Sequence, residues 1–338
     1  MRTHGGYSES TANAALGWIG AGRPIFVGEF GEGFAFPLLV RSNAELIGAD
    51  AKGASSASLD EIAAFFSAGG SACYLLNSPN LEPPIDSEAV AAFVGEDSVS
   101  GYRSGLHAIS DVEDGTTIVV PGRLDDVVET AFVEYILNRP SKTLVLERAP
   151  VLEGGLLGGE EPEEKAVLPA IFEALCRVVS LGRAPGGGQS LSALGAAVGA
   201  YFAEEARIEA TDGVPFLFSS GVDLPTVGER FGCLSALRRW QGLRRSIDLG
   251  TRWILFEVQD EFLCRRVERE VRALLLELHQ RGFFAGVTPD RSFSVACKAR
   301  VESEPCRATG RIELSVAARV RGGSRETLTR TFDMAIDQ

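Results

Sequence analysis

Apolar residues in the first half of the chain gather in short runs separated by stretches of helical periodicity. Residues 24–28 (PIFVG) form a run closed by glycine, which predicts a buried strand. Residues 38–40 predict a second, followed by a turn of helix around 43–47 with Ser42 as its cap. Ser58 is placed to cap a helix over 59–68, and Glu61 three residues on would complete a capping box. Gly69 and Gly70 end that helix, and 72–76 reads as a strand. Residues 116–120 and 143–146 predict further strands, with a helix over 124–137 between them. Strands alternating with helices predict an α/β domain with mixed sheets flanked by helices.

The middle of the chain changes character. Residues 152–162 alternate glycine with acid and predict a surface loop, 164–181 a helix, and 182–190 (GRAPGGGQS) a connection. Residues 221–232 mark a second boundary. The last third has the clearest patterning. Residues 253–258 predict a strand, and Asp260 caps a long helix through Arg281 that Gly282 ends. Leu263, Val267, Val271, Leu274 and Leu278 form its apolar stripe, at steps of three and four. Arg265, Arg269 and Arg272 form a separate stripe, roughly opposite the first. Residues 292–298 and 311–320 predict strands. After Gly322 and Gly323 comes another alternating run, Leu328, Arg330, Phe332, Met334 and Ile336, able to pair in its own sheet or with a neighbouring chain.

Charge sharpens this division. Residues 1–229 carry 13 basic and 32 acidic side chains, while residues 230–338 carry 20 basic and 14 acidic. The net charge of −13 argues against a nucleic-acid or membrane-surface binder. The basic third is the part suited to an acidic protein partner. No apolar run of 18 residues predicts a membrane span, and the start (MRTHGGYSES) lacks a secretion signal. Cysteines 73, 176, 233, 264, 297 and 306 never fall at CxxC spacing, and His4, His107 and His279 have no ligand partners at metal spacing. The thiols therefore read as reduced core residues.

Catalytic and cofactor motifs do not emerge. The sequence holds no Walker loop, no GxGxxG between strand and helix and no GxSxG elbow, so no cofactor is expected. The Asp111, Glu113, Asp114 group reads as a turn, and Asp125 with Asp126 complements a helix N-terminus.

Residues 59–76 (LDEIAAFFSAGGSACYLL) resemble the helix, Gly-Gly and strand signature of contractile tail sheath proteins. Residues 25–28 with 37–45 (PLLVRSNAE) are similar to that family's first strand and turn, and 106–122 to its short helix, strand and Pro-Gly stop. Residues 252–295, 310–320 and 331–337 resemble its ending. The Pro-Gly-Val-Tyr start is replaced by Gly5, Gly6 and Tyr7, and no Trp-Gly-Ala-Arg-Thr type segment precedes Arg252.

The resemblance implies a non-enzymatic, two-domain subunit without cofactors. It has an arm at 1–22, an acidic outer α/β domain at 23–225, an inner sheath-core domain at 226–322 and a linking arm at 323–338. Such subunits stack as hexameric rings around an inner tube protein, between baseplate and cap proteins. They assemble in the cytoplasm or in a virion or tail-like particle, and contract to drive the tube through an envelope, with no nucleic-acid partner or membrane insertion. Within it, Arg265, Arg269 and Arg272 are expected at the tube, and Leu328, Arg330, Phe332, Met334 and Ile336 in the arm. A cap or baseplate-type adaptor and an α/β enzyme with an unrecognised site remain the alternatives.

Overall fold

The computed structural model describes residues 16–31, 37–48, 56–78, 87–95, 104–122, 126–137, 139, 141–146, 178–180, 193–212, 230–257, 260–304 and 307–336. The expected loop at 152–162, the connection at 182–190, the domain boundary at 225–226 and most of the arm at 1–22 lie outside the described residues. The chain divides into two compact units, residues 21–241 and residues 1–20 with 242–338.

The 21–241 unit is built on a six-stranded sheet. Its strands are β1 (Arg23–Gly28), β2 (Leu38–Val40), β3 (Cys73–Asn77), β4 (Gly115–Val120), β5 (Thr143–Leu146) and β6 (Val178–Ser180). They lie in the order β2-β3-β1-β4-β5-β6, with β2 antiparallel to β3 and the others parallel. Every residue of β4 and β5 is buried, because helices cover both faces of a parallel sheet. This is why those strands read as unbroken apolar runs. On one face, Ile25, Val27, Ile118 and Leu144 pack with Phe93 of α3 (Ser87–Val94) and Phe132 and Ile136 of α4 (Asp126–Leu137).

On the other face Phe26 meets Phe65 of α2 (Ser56–Ser67), edge to face with centroids 5.3 Å apart. Against α2 lies α5 (Ala193–Asp212), which follows α1 (Asn43–Gly48) and the others in chain order. A Cβ on Gly195 or Gly199 of α5 would lie 2.1 or 2.3 Å from the carbonyl oxygens of Glu61 or Phe65, so glycine lets the two backbones touch.

Two local expectations are corrected here. Ser42 does cap α1, accepting from the Glu45 amide at 3.2 Å. Ser58, however, sits inside α2, which starts at Ser56, and its Oγ accepts from the Glu29 amide at 3.2 Å. Glu61 does not reach back to close a capping box. Its buried carboxylate accepts from the Gly195 amide and so caps the start of α5 instead. The helix expected over 164–181 ends in strand: Val178–Ser180 are β6, alongside β5, and the rest of that stretch lies outside the described residues.

The helix α6 (Leu234–Gly250) runs past the division between units. Its first half supplies the buried side chain of Arg238 to the 21–241 unit. Arg238 donates to Glu205 of α5, to Thr117 Oγ1 on β4 at 2.7 Å and to the Gly22 carbonyl at 2.8 Å. Its guanidinium also lies 4.4 Å from the centroid of the Phe202 ring. Gly22 has φ 87°, and a Cβ there would sit 2.3 Å from the Asp114 carbonyl oxygen. Three residues on, Gln241 donates to Thr143 Oγ1 at 2.6 Å. Thr117 and Thr143 are register partners across β4 and β5, so one turn of helix reads two adjacent strands.

In the other unit, β7 (Phe293–Glu304), β8 (Arg307–Arg319) and β9 (Arg325–Ile336) form an antiparallel sheet in that order. Ile312, Leu314, Val316 and Ala318 of β8 are buried at alternate positions, as the pattern predicts. The strand expected over 253–258 is a 3-10 turn, Arg252–Phe256. The Ile254 amide donates to the Thr251 carbonyl three residues back at 3.1 Å, so the chain leaves α6 by tightening instead of extending. Only Ile254 of that turn is buried, and a short apolar run cannot by itself separate the two outcomes. Residues 16–20 pack on the second half of α6: the Ile19 amide donates to Ser246 Oγ at 2.9 Å, and a Cβ on Gly242 would strike the Trp18 ring.

Candidate assembly surface

The long helix α7 (Glu261–Gln280) starts where the sequence places it, with the Asp260 carboxylate accepting from the Leu263 amide at 2.7 Å. Leu263, Cys264, Val267, Val271, Leu274, Leu275 and Leu278 are buried along one side. Arg265, Arg269 and Arg272 all stand exposed.

Between and beyond the arginines lie two residues that the charge pattern alone does not single out. Phe262 is 77% exposed and Leu276 is 37% exposed. At about 100° per residue, positions 262, 265, 269, 272 and 276 fall within a sector of about 80°. The outward face is therefore a seam of three arginines flanked by apolar ends about 21 Å apart along the axis. The seven-residue spacing of 262, 269 and 276 is the signal that could have revealed it. Before the helix, Phe256 is 79% exposed as well.

The electrostatics of this face are mixed rather than purely basic. Arg265 pairs with Glu261 at 2.7 Å, and its hydrogen bond to that carboxylate holds its pKa above the usual arginine value. Arg272 pairs with Glu268 at 3.5 Å. Arg269 has no ion-pair partner among the described residues. Arg266 belongs to a different side of the helix, where it bonds Glu270 at 3.1 Å and its guanidinium lies 4.5 Å from the Trp253 ring centroid. Exposed i,i+4 pairs of this kind add little to stability and exchange readily for partners across an interface.

The run Leu328, Arg330, Phe332, Met334 and Ile336 lies on β9, paired with β8 along its length from Arg325–Arg319 to Ile336–Ala308. Leu328 and Phe332 are buried, and Arg330 forms an ion pair with Asp248 of α6. In the single chain these residues complete their own sheet. The far edges of β7 and β9 have no strand partner among the described residues.

No group of three metal-ligating side chains occurs among the described residues, and no described helix is long and apolar enough to cross a membrane. The parallel sheet changes direction between β1 and β4, the place where doubly wound sheets hold ligands. There the chain after β1 turns inward: Phe30 is buried and its amide donates to Asn77 Oδ1 at 2.8 Å. Asp111 and Glu113 are exposed, and Asp114 pairs with Arg23 and accepts from the Tyr74 hydroxyl at 2.7 Å, an arrangement at the N-terminal ends of the middle strands β1 and β4. His279 shares a 3.1 Å hydrogen bond with Ser292 between the Phe284 and Phe293 rings.

No family model and no curated protein matches the sequence. Solved structures do match. A chain from the helical sheath of the anti-feeding prophage in its contracted state is 14% identical, with TM-score 0.52 over 100% of this chain and 95% of that one. A chain from the baseplate of the same prophage is 16% identical, with TM-score 0.51 over 100% and 96%. A chain from the contracted PVC sheath complex of an extracellular contractile injection system is 14% identical, with TM-score 0.50 over 100% and 95%. At these identities the likeness is one of fold.

Proposed function

We propose, for a chain that has the fold of contractile sheath proteins, that it is a structural subunit of such a sheath: it polymerises as stacked rings around an inner tube and works without catalysis. One observation carries the reading. The whole described chain follows the fold of proteins taken from contracted sheaths, and the order of elements agrees with the resemblance carried by residues 59–76 and, from Asp260 onward, by residues 252–295. The inner tube is met by the outward face of α7, through Arg265, Arg269 and Arg272, in the part of the chain from 226 to 322. Neighbouring subunits are linked by the terminal segments 1–22 and 323–338, with Leu328, Arg330, Phe332, Met334 and Ile336 as the exchanged strand. The energy of contraction then lies in subunit interfaces.

A second reading, a ring at the sheath terminus, is favoured by the likeness to a chain from a baseplate. Negative-stain microscopy of the protein co-expressed with candidate tube proteins separates the two. Long tubes with a filled lumen support the sheath subunit, and single rings support the terminal ring. Monomers under all conditions overturn both.

A further inference from the structure

Two cysteines 33 residues apart in sequence meet where α7 packs on β7. Cys264, in the first turn of α7, is 4% exposed, and Cys297 on β7 is half-buried. Phe293, Val295 and Cys297 alternate along one face of β7, and the first two are buried. The Cys297 thiol is placed to donate to Cys264 Sγ at 3.0 Å, only about 1 Å longer than a disulfide bond. Cys233 lies 3.3 Å from the Ser235 hydroxyl.

We propose that Cys264 and Cys297 are a reversible disulfide site, which in an oxidising medium clamps the first turn of α7 to the β7-β8-β9 sheet. Hydrogen peroxide is a sufficient oxidant. The Cys297 thiolate, nearer to solvent, attacks one peroxide oxygen; the O–O bond breaks, a sulfenic acid forms and water leaves. The Cys264 thiolate then attacks that sulfur, the S–S bond forms and the sulfenic oxygen departs as a second water. Two thiols thus lose two electrons and two protons, and one peroxide becomes two waters.

Burial pushes both thiols up in pKa. At Cys297 the hydrogen bond to Cys264 and the carboxylate of Glu268 push the same way. Because the thiolate is the reacting form, the pair stays reduced at neutral pH under mild oxidant and reacts faster as pH rises.

The experiment treats the purified full chain with peroxide at neutral and alkaline pH, alkylates the remaining thiols and maps peptides by mass. The expected result is a linked peptide containing Cys264 and Cys297, formed faster at alkaline pH and reversed by dithiothreitol. Linkage should raise the Tm of the 242–338 unit by on the order of 5–10 °C, a gain absent in Cys264→Ser and Cys297→Ser. Separately alkylated thiols after alkaline oxidation, or Cys297 advanced to sulfinic acid without linkage, overturn the site. Linkage without a gain in Tm overturns the clamp. The readout needs no assembly, so it is independent of the sheath reading.

Discussion

The Arg238 guanidinium holds the Glu205 carboxylate by three hydrogen bonds, Nε to Oε1 at 2.9 Å and to Oε2 at 3.2 Å, and Nη2 to Oε2 at 2.6 Å. The arginine side chain is 1% exposed, so its charge has almost no water to turn to. Burial, the largest single influence, would lower its pKa, but the Glu205 carboxylate together with Tyr201 and Glu209 leaves the net shift upward. Glu205→Ala strands that charge and is expected to cost about 3–5 kcal/mol in chemical denaturation. The double variant Arg238→Met with Glu205→Leu should recover most of the loss. A single-variant cost under about 1 kcal/mol would mean that the threonines and the Gly22 carbonyl satisfy the guanidinium unaided.

In an exposed helix, glycine to alanine stabilises by about 1 kcal/mol. At Gly199 the sign should reverse, because the new Cβ meets the Phe65 carbonyl, a backbone atom that cannot swing aside. Gly199→Ala is expected to lose about 1–3 kcal/mol, and Gly195→Ala likewise. Thermal melts of the two variants check this, and a raised Tm in either contradicts the close α2–α5 packing.

Arg265→Glu with Arg269→Glu leaves the buried side of α7 intact. The variant should keep its circular dichroism spectrum and Tm while losing co-assembly with the tube. Sedimentation of co-expressed particles measures it, and tube-filled particles from the double variant would reduce the seam to a solvated face.

β9 is the third strand of its own sheet, so removing residues 324–338 uncovers the outer edge of β8. The truncated chain is expected to be less stable and unable to polymerise. A synthetic peptide of residues 325–336 should bind it and restore the lost stability, as an exchangeable strand must. Calorimetry of peptide binding gives the answer, and absence of binding argues that β9 is never supplied from outside.

The sheet of the 21–241 unit was legible because β1, β4 and β5 are buried on both faces and leave continuous apolar runs. The capping and stripe of α7 were equally plain. Residues 253–258 were not, since six apolar-rich positions after a helix carry no period. The helices α5 and α6 left weak signals: α5 uses alanine and glycine to approach α2, and α6 carries Arg238, Arg239, Arg244 and Arg245, which read as surface. No pattern in one sequence tells that Arg238 is buried, because its partner lies 33 residues earlier on a helix equally hard to read. At the candidate surface the arginines were visible, while Phe262 and Leu276, lone apolar positions outside the buried stripe, left no mark in the charge pattern.

The reach of Glu61 to Gly195 spans 134 residues, and that of Arg238 to Thr117 spans 121. A nascent chain therefore carries β1 to β5 long before α5 and α6, which complete their cover, have been made. Such distant pairings make folding slow and leave an incomplete sheet open to premature association. For a protein whose proposed work is to polymerise, the late arrival of Arg238 acts as a timer: the 21–241 unit is not finished until the ribosome has reached α6, the helix that opens the basic segment carrying the proposed assembly face.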